Sequence, residues 1–185
     1  MRLFIAIDLN KELKDKIKNI EDELKKLDLP IKFVEPENLH FTLKFLGEVS
    51  EERVKEIEKT VSEVLKDFKP FKVFIQDFGY FGSPNYIRTL WLGLKEGGKE
   101  IIEISEKLDE VLSYIRKNEH EPKPHLTIGR VKSNKNKEIL LKEIEKLKNV
   151  KIGEFYVNKI KLKKSVLTKK GPIYSDLKVF ELSEK

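Results

Sequence analysis

Pro122-Lys123-Pro124-His125-Leu126-Thr127-Ile128-Gly129-Arg130-Val131 repeats the plan of an earlier stretch, Pro36-Glu37-Asn38-Leu39-His40-Phe41-Thr42-Leu43-Lys44-Phe45-Leu46-Gly47, with the two histidines 85 residues apart. In each, a proline leads into His-x-Thr and then into apolar residues at alternate positions, the period of a β-strand with one buried face. His40 and Thr42 then project together while Phe41 and Leu43 project into a core; His125 and Thr127 do likewise, backed by Leu126 and Ile128. Chance is a poor explanation. With three histidines and five threonines among 185 residues, a random histidine has a threonine two places on in about 3% of cases, and two of three do so in about 0.2%. The paired motif therefore predicts two similar lobes, related by a pseudo-twofold axis, within a single domain spanning residues 1–185.

Outward from the two motifs the chain alternates strand and helix signals. Leu3-Phe4-Ile5-Ala6-Ile7 reads as a buried strand, followed by a helix face of Leu13, Ile17, Ile20, Leu24 and Leu27 that ends before Pro30. Ser50 is placed to cap a second helix, with Glu51 and Glu52 at its positive end and Val54, Ile57, Val61, Val64 and Leu65 on its buried face. Strands at about residues 71–78 and 88–94 flank a loop with Gly79, Gly82, Ser83, Pro84 and Asn85. A third helix carries Ile101, Ile104, Leu108, Val111 and Ile115, and a short fourth carries Leu140, Ile144 and Leu147. Strands at about 153–162, 165–168 and 173–182 close the chain, with Gly171-Pro172 as the break between the last two. Helices and strands mix without a regular βαβ rhythm, which predicts an α+β fold with largely antiparallel sheets.

The chain has no cysteine, which removes thiolate metal sites, thiol nucleophiles and disulfides and suits a reducing cytoplasm. No apolar run approaches the roughly 18 residues of a membrane span, and Arg2–Asp8 is too short and too soon acidic for a signal peptide. The expectation is a cytoplasmic protein with no membrane contact. Lys and Arg number 38 against 32 Asp and Glu, a net +6 that leans toward anionic partners such as nucleic acid. Much of that charge is Lys and Glu interleaved on helices, equally the mark of a solvated, heat-adapted surface. It supports an RNA substrate only beside other residues that do.

Two imidazoles facing each other across a cleft, each beside a hydroxyl, suit a small anion, and phosphorus chemistry fits best. With an unperturbed pKa near 6.5, one histidine can accept a proton while another, held protonated beside a phosphate, donates one. Thr42 and Thr127 can donate hydrogen bonds to non-bridging phosphate oxygens. The scheme calls for no metal and no cofactor, and two histidines without an HExxH motif lack a third ligand of recognisable spacing. His120, in Asn118-Glu119-His120-Glu121, has no such context and reads as a solvated loop residue.

The motifs resemble those of the two-histidine phosphoesterases, most closely the LigT-like RNA 2′,3′-cyclic phosphodiesterases, also called 2′-5′ RNA ligases. The resemblance rests on Arg2-Leu3-Phe4-Ile5-Ala6-Ile7-Asp8, Glu37-Asn38-Leu39-His40-Phe41-Thr42-Leu43-Lys44-Phe45-Leu46-Gly47, Leu90-Trp91-Leu92-Gly93, Lys123-Pro124-His125-Leu126-Thr127-Ile128-Gly129-Arg130 and Gly171-Pro172-Ile173-Tyr174, in that order. It implies a bilobal fold with two sheets lining a central cleft and helices packed outside, and hydrolysis of a terminal 2′,3′-cyclic phosphate to a 2′-phosphate. It implies His40 as proton donor to the departing 3′ oxygen and His125 as proton acceptor from water. It also implies ATP-independent 2′-5′ joining when a ribose hydroxyl replaces water. The expected partners are RNA ends that bear a cyclic phosphate, tRNA halves among them, and the expected state is a monomer.

Four further residues are candidates for substrate contact. Strand parity puts Lys44 in phase with His40 and Thr42, whereas Arg130 is out of phase with His125 and Thr127 and needs a local break, which Gly129 can supply as a bulge or strand end. Re-aimed, its guanidinium would grip phosphate; otherwise it forms a surface ion pair. Phe81 lies with Tyr80, Tyr86 and Trp91 around the glycine- and proline-rich loop, where aromatic faces either stack on unpaired bases or pack the core. Tyr174 follows Gly171-Pro172 as in the family and either contacts phosphate or packs. Two readings compete with the RNA enzyme: a non-catalytic binder of RNA ends, and a cyclic phosphodiesterase of small nucleotides.

Overall fold

A computed structural model describes residues 1–184. Nine strands and four helices follow one another as β1 (Arg2–Asp8), α1 (Lys11–Lys25), β2 (Ile31–Phe33), β3 (His40–Glu48), α2 (Val54–Leu65), β4 (Phe71–Ser83), β5 (Tyr86–Glu96), α3 (Gly98–Leu112), β6 (Leu126–Val131), α4 (Lys137–Leu147), β7 (Lys151–Val157), β8 (Lys159–Thr168) and β9 (Gly171–Glu181). They form a four-stranded sheet ordered β3-β1-β8-β9 and a five-stranded sheet ordered β2-β6-β5-β4-β7. Every pairing within them is antiparallel. The α+β expectation holds.

The helices lie where apolar residues recur every three or four positions. In α1, Leu13, Ile17 and Leu24 are buried and Asn10 caps the first turn, its side-chain oxygen accepting from the Leu13 amide at 3.0 Å. Glu21 is buried on the same face with one carboxyl oxygen unpartnered, and burial pushes its pKa up to about 8. Ser50 does not cap a helix through its side chain. A 3₁₀ turn over Glu51–Arg53 intervenes before α2, and the Ser50 carbonyl, not its hydroxyl, accepts from the Arg53 amide. α3 packs on β3, α1 on β7 and the turn before His40, and α4 on β4.

Three strand boundaries differ from the periodicity. The loop expected at residues 79–85 is a hairpin: Ser83 pairs with Tyr86, leaving Pro84-Asn85 as a two-residue turn. Gly79 serves close approach rather than a turn, for a Cβ there would lie 2.3 Å from the Trp91 ring. The strand expected over 153–162 is two strands in different sheets, divided at Asn158. Gly171 and Pro172 lie inside β9 opposite Thr168 and Leu167, and Lys169-Lys170 form the turn; β9 is an edge strand, where a proline forfeits no ladder bond. The short β2, invisible to a periodicity test at three residues, adds a fifth strand beside β6.

The sheets share one plan. β3 and β6 carry the motifs, β1 and β5 are their inner neighbours, and β8 and β4 follow. The registers keep the 85-residue spacing: Thr42 faces Ala6 as Thr127 faces Trp91, and Lys44 faces Ile5 as Gly129 faces Leu90. The pseudo-twofold arrangement is thus present in the motif strands and their neighbours, while β2 has no counterpart in the four-stranded sheet.

Candidate active site

A β-bulge stands directly behind each threonine. On β3, consecutive partners of β1 are Thr42 and Lys44, which leaves Leu43 as an extra residue; on β6, consecutive partners of β5 are Thr127 and Gly129, which leaves Ile128 extra. Both extra carbonyls have a partner: that of Leu43 accepts from the Ser105 hydroxyl of α3, and that of Ile128 accepts at 2.9 Å from the amide of Val34, the residue just past β2. Each bulge shifts the alternation by one. Residues three beyond the threonines, Phe45 and Arg130, rejoin the histidine face and line the cleft, while Lys44 and Gly129 turn away.

Arg130 therefore reaches the cleft through a local break, which falls at Ile128, one residue before Gly129. Gly129 itself makes room for a neighbouring strand, because a Cβ there would lie 2.9 Å from Ile31, and its absence lets β2 come alongside. Lys44 corrects the parity reading. Its side chain is wholly buried, donating to the carboxylate of Asp109 and the amide oxygen of Asn118, each at 2.8 Å, and to the Arg116 carbonyl. It braces β3 against the segment that leads to His125 and is not among the residues that line the cleft.

The two rings are held alike. Nδ1 of His40 donates to the Asn38 carbonyl at 2.6 Å and Nδ1 of His125 to the Lys123 carbonyl at 2.7 Å, in both cases the residue two places before. Holding the proton on Nδ1 leaves Nε2 for chemistry. Nε2 of His40 lies 3.0 Å from the Thr42 hydroxyl. Desolvation lowers the pKa of both rings; the carbonyl contacts oppose the shift, with help from Asp8 at His40, while Lys163 near His40 and Lys123 near His125 add to it.

Aromatic rings wall each imidazole. His40 stands 5.1 Å from Phe4 and 5.3 Å, edge-on, from Tyr174, whose phenol pKa is raised by desolvation. His125 meets Phe81 edge-on at 4.8 Å, and Phe81 leans on Trp91 at 5.8 Å. Both Phe81 and Tyr174 are thus at the motifs. Tyr80 packs toward the core, Tyr86 is exposed beside Arg88, and His120 is exposed in the loop before β6. Phe4, Phe45 and Arg2, absent from the sequence candidates, also border the cleft. The 85-residue spacing that links His40 with His125 pairs Phe45 with Arg130, the signal by which Phe45 was findable.

The cleft encloses about 890 Å³ between the sheets, with both histidines and both threonines on its walls. Six cations, Arg2, Lys32, Lys123, Arg130, Lys132 and Lys170, border it against two acids, Glu35 and Glu37, so its field favours an anion. Among the described residues no three His, Asp or Glu side chains stand together as a metal-ligand set. Nor, among the described residues, is any helix long and apolar enough to cross a membrane.

One imidazole able to take a proton, another able to give one, and a cationic cleft to seat an anion between them define a paired-histidine enzyme of phosphoester chemistry. Comparison with known proteins names the group. Residues 7–91 and again 92–174 match the family described as LigT like Phosphoesterase, so each stretch contains one His-x-Thr strand. The RNA 2′,3′-cyclic phosphodiesterase of Methanocaldococcus jannaschii is 45% identical over 96% of this chain and 99% of its own, and that of Methanothermobacter thermautotrophicus 43% identical over 98% and 99%. The crystal structure of TT0787 from Thermus thermophilus superposes with a TM-score of 0.83 over the whole of both chains at 26% identity. The chain belongs to the LigT-like phosphoesterase family.

Proposed function

We propose that this enzyme hydrolyses the 2′,3′-cyclic phosphate at the end of an RNA to a 2′-phosphate without a metal ion. The observation that carries the reading is the matched pair of histidines, both tautomers set by a carbonyl and both Nε2 atoms left for proton transfer across a cationic cleft. The names of the archaeal relatives supply the substrate. His125 Nε2 takes a proton from water as its oxygen attacks phosphorus; the bond from phosphorus to O3′ breaks, and His40 Nε2–H gives its proton to O3′. His125 ends protonated and His40 neutral, and exchange with solvent resets both. Thr42 has a part in the timing. While His40 is neutral its Nε2 accepts the Thr42 proton; once His40 is protonated, Nε2–H donates to Thr42 and frees that hydroxyl for a phosphate oxygen. Thr127 and Arg130 hold the other non-bridging oxygen, Arg130 as a charged fork. A ribose 5′-hydroxyl in the place of water turns the same transfer into 2′-5′ joining. RNA ends such as tRNA halves are the expected substrates of a monomeric enzyme.

The test is incubation of an RNA ending in 2′,3′-cyclic phosphate, with 2′- and 3′-phosphate products resolved. The expected product is the 2′-phosphate, formed equally well in EDTA. His40→Ala and His125→Ala are each expected to lower kcat by about 10² to 10⁴. Near-wild-type turnover by either variant, or a 3′-phosphate product, refutes the mechanism.

A further inference from the structure

β1 begins at Arg2, opposite Ser165 of β8, so beyond Ser165 the β8–β9 hairpin has no third strand. Residues 166–173 project from the sheet as an isolated two-stranded ribbon beside the mouth of the cleft. Isolated ribbons of this kind are marginal in water, and this one exposes apolar side chains on both faces. The pair Val166 and Ile173 is 48% and 61% exposed, and Leu167, opposite Pro172 on the other face, is 66% exposed. Its turn is nonetheless ordered from within, the Thr168 hydroxyl donating to the Gly171 carbonyl and accepting from the Lys170 amide.

We propose that this ribbon is the docking surface for the RNA strand upstream of the cyclic-phosphate nucleotide, an inference that rests on the function proposed above. Three observations select RNA as the occupant. The ribbon is purely basic: residues 166–173 hold two lysines, Lys169 and Lys170, with Lys164 at its base, no Asp or Glu occurs from Lys164 to Ser175, and among the described residues these three lysines join no ion pair. It is continuous with the cleft, whose wall Leu167, Lys170 and Ile173 extend outward. It is also tied to the proton donor, since the Asn38 side chain donates to the Pro172 carbonyl at 3.2 Å, the Asn38 carbonyl holds His40, and Tyr174 packs against the His40 ring. An RNA that ends in a cyclic phosphate continues only on its 5′ side, so a strand leaving the cleft past His40 meets the ribbon first. Aliphatic side chains cover base faces there while lysines follow the phosphates.

The experiment compares two substrates of one chemistry, a mononucleoside 2′,3′-cyclic phosphate and an oligoribonucleotide ending in the same group, in the wild type and in a Val166→Ser/Lys169→Glu variant, whose two positions lie on the ribbon outside the cleft lining. The variant is expected to raise KM for the oligonucleotide about tenfold at near-constant kcat, to weaken its salt dependence, and to turn over the mononucleotide at the wild-type rate. Equal effects on both substrates, or none on either, overturn the docking surface while the mononucleotide rate still upholds the chemistry. Light scattering that shows a wild-type dimer and a monomeric variant overturns it in favour of self-association through the ribbon. A wild type inert on both substrates removes the functional reading and the docking surface together.

Discussion

His40 and His125 are both displaced toward the neutral form by desolvation, and the direction has a kinetic consequence. The proposed mechanism needs His125 neutral and His40 protonated. A lowered His125 pKa moves the rising limb of the pH profile to lower pH, and a lowered His40 pKa moves the falling limb the same way. The optimum of kcat/KM, which reports the unliganded enzyme, is therefore expected below the ordinary histidine value of about 6.5. A bound cyclic phosphate places a negative charge beside His40 and favours the imidazolium, so the falling limb of kcat is expected at higher pH than that of kcat/KM. Profiles of both constants check this, and coincident falling limbs would contradict it. These histidines and their threonines are legible in the sequence because spacing and parity are local properties. Phe4 and Arg2 are not, since their nearness to the cleft depends on β1 pairing with β3, a contact between residues some 40 places apart in register.

The bulges explain why parity succeeds for one basic residue and fails for the other. Alternation predicts a face only while every residue has one partner, and an inserted residue reverses everything behind it. In β6 a glycine advertises the irregularity, so the route of Arg130 to the cleft can be anticipated; β3 has no such marker near Leu43, and alternation puts Lys44 on the wrong face. Buried instead, Lys44 ties β3 to α3 and to the segment that delivers His125. Lys44→Met strips Asp109, Asn118 and the Arg116 carbonyl of their donor at once. A cost of about 3 kcal/mol follows for breaking such a pair, or roughly 6–12 °C in Tm for a domain of this size. The brace also sets where His125 stands, so kcat is expected to fall with the substrate KM little changed. Adding Asp109→Asn to Lys44→Met should restore part of the lost Tm, because the neutral amide no longer strands a charge. A melting curve and steady-state kinetics on the two variants decide it. An unshifted Tm for Lys44→Met would show that the brace bears no weight.

Element types follow well from periodicity, but the partners of each strand do not, and the molecule's connectivity lies in those partners. α2 ends the first His-x-Thr half, yet the strand that follows it, β4, enters the second sheet beside β5. The chain crosses back only at Asn158, where β7 of the second sheet gives way to β8 beside β1. What periodicity takes for one strand over 153–162 is this crossing, and a run of alternating residues carries no mark of a change of sheet. Each sheet is thus completed by segments remote in sequence: the first needs residues 2–48 and 159–181, and the second takes β2 from within the first. The buried apolar residues of both lobes likewise form one continuous cluster, running from Leu3 to Leu182. Two lobes built this way are not expected to unfold one at a time, because the chain passes repeatedly between the sheets and both bury their apolar residues in one cluster. Thermal unfolding is expected as a single transition, with calorimetric and van't Hoff enthalpies in a ratio near one. A chain ended at Asn158 would keep both motif strands but lose β8 and β9, leaving one edge of β1 unpaired and removing Ile160, Leu162, Phe180 and Leu182 from the core. It is expected to show no cooperative melt, whereas two resolved transitions in the full chain, or a cooperative melt in the shortened one, would mean that the lobes are independent folding units.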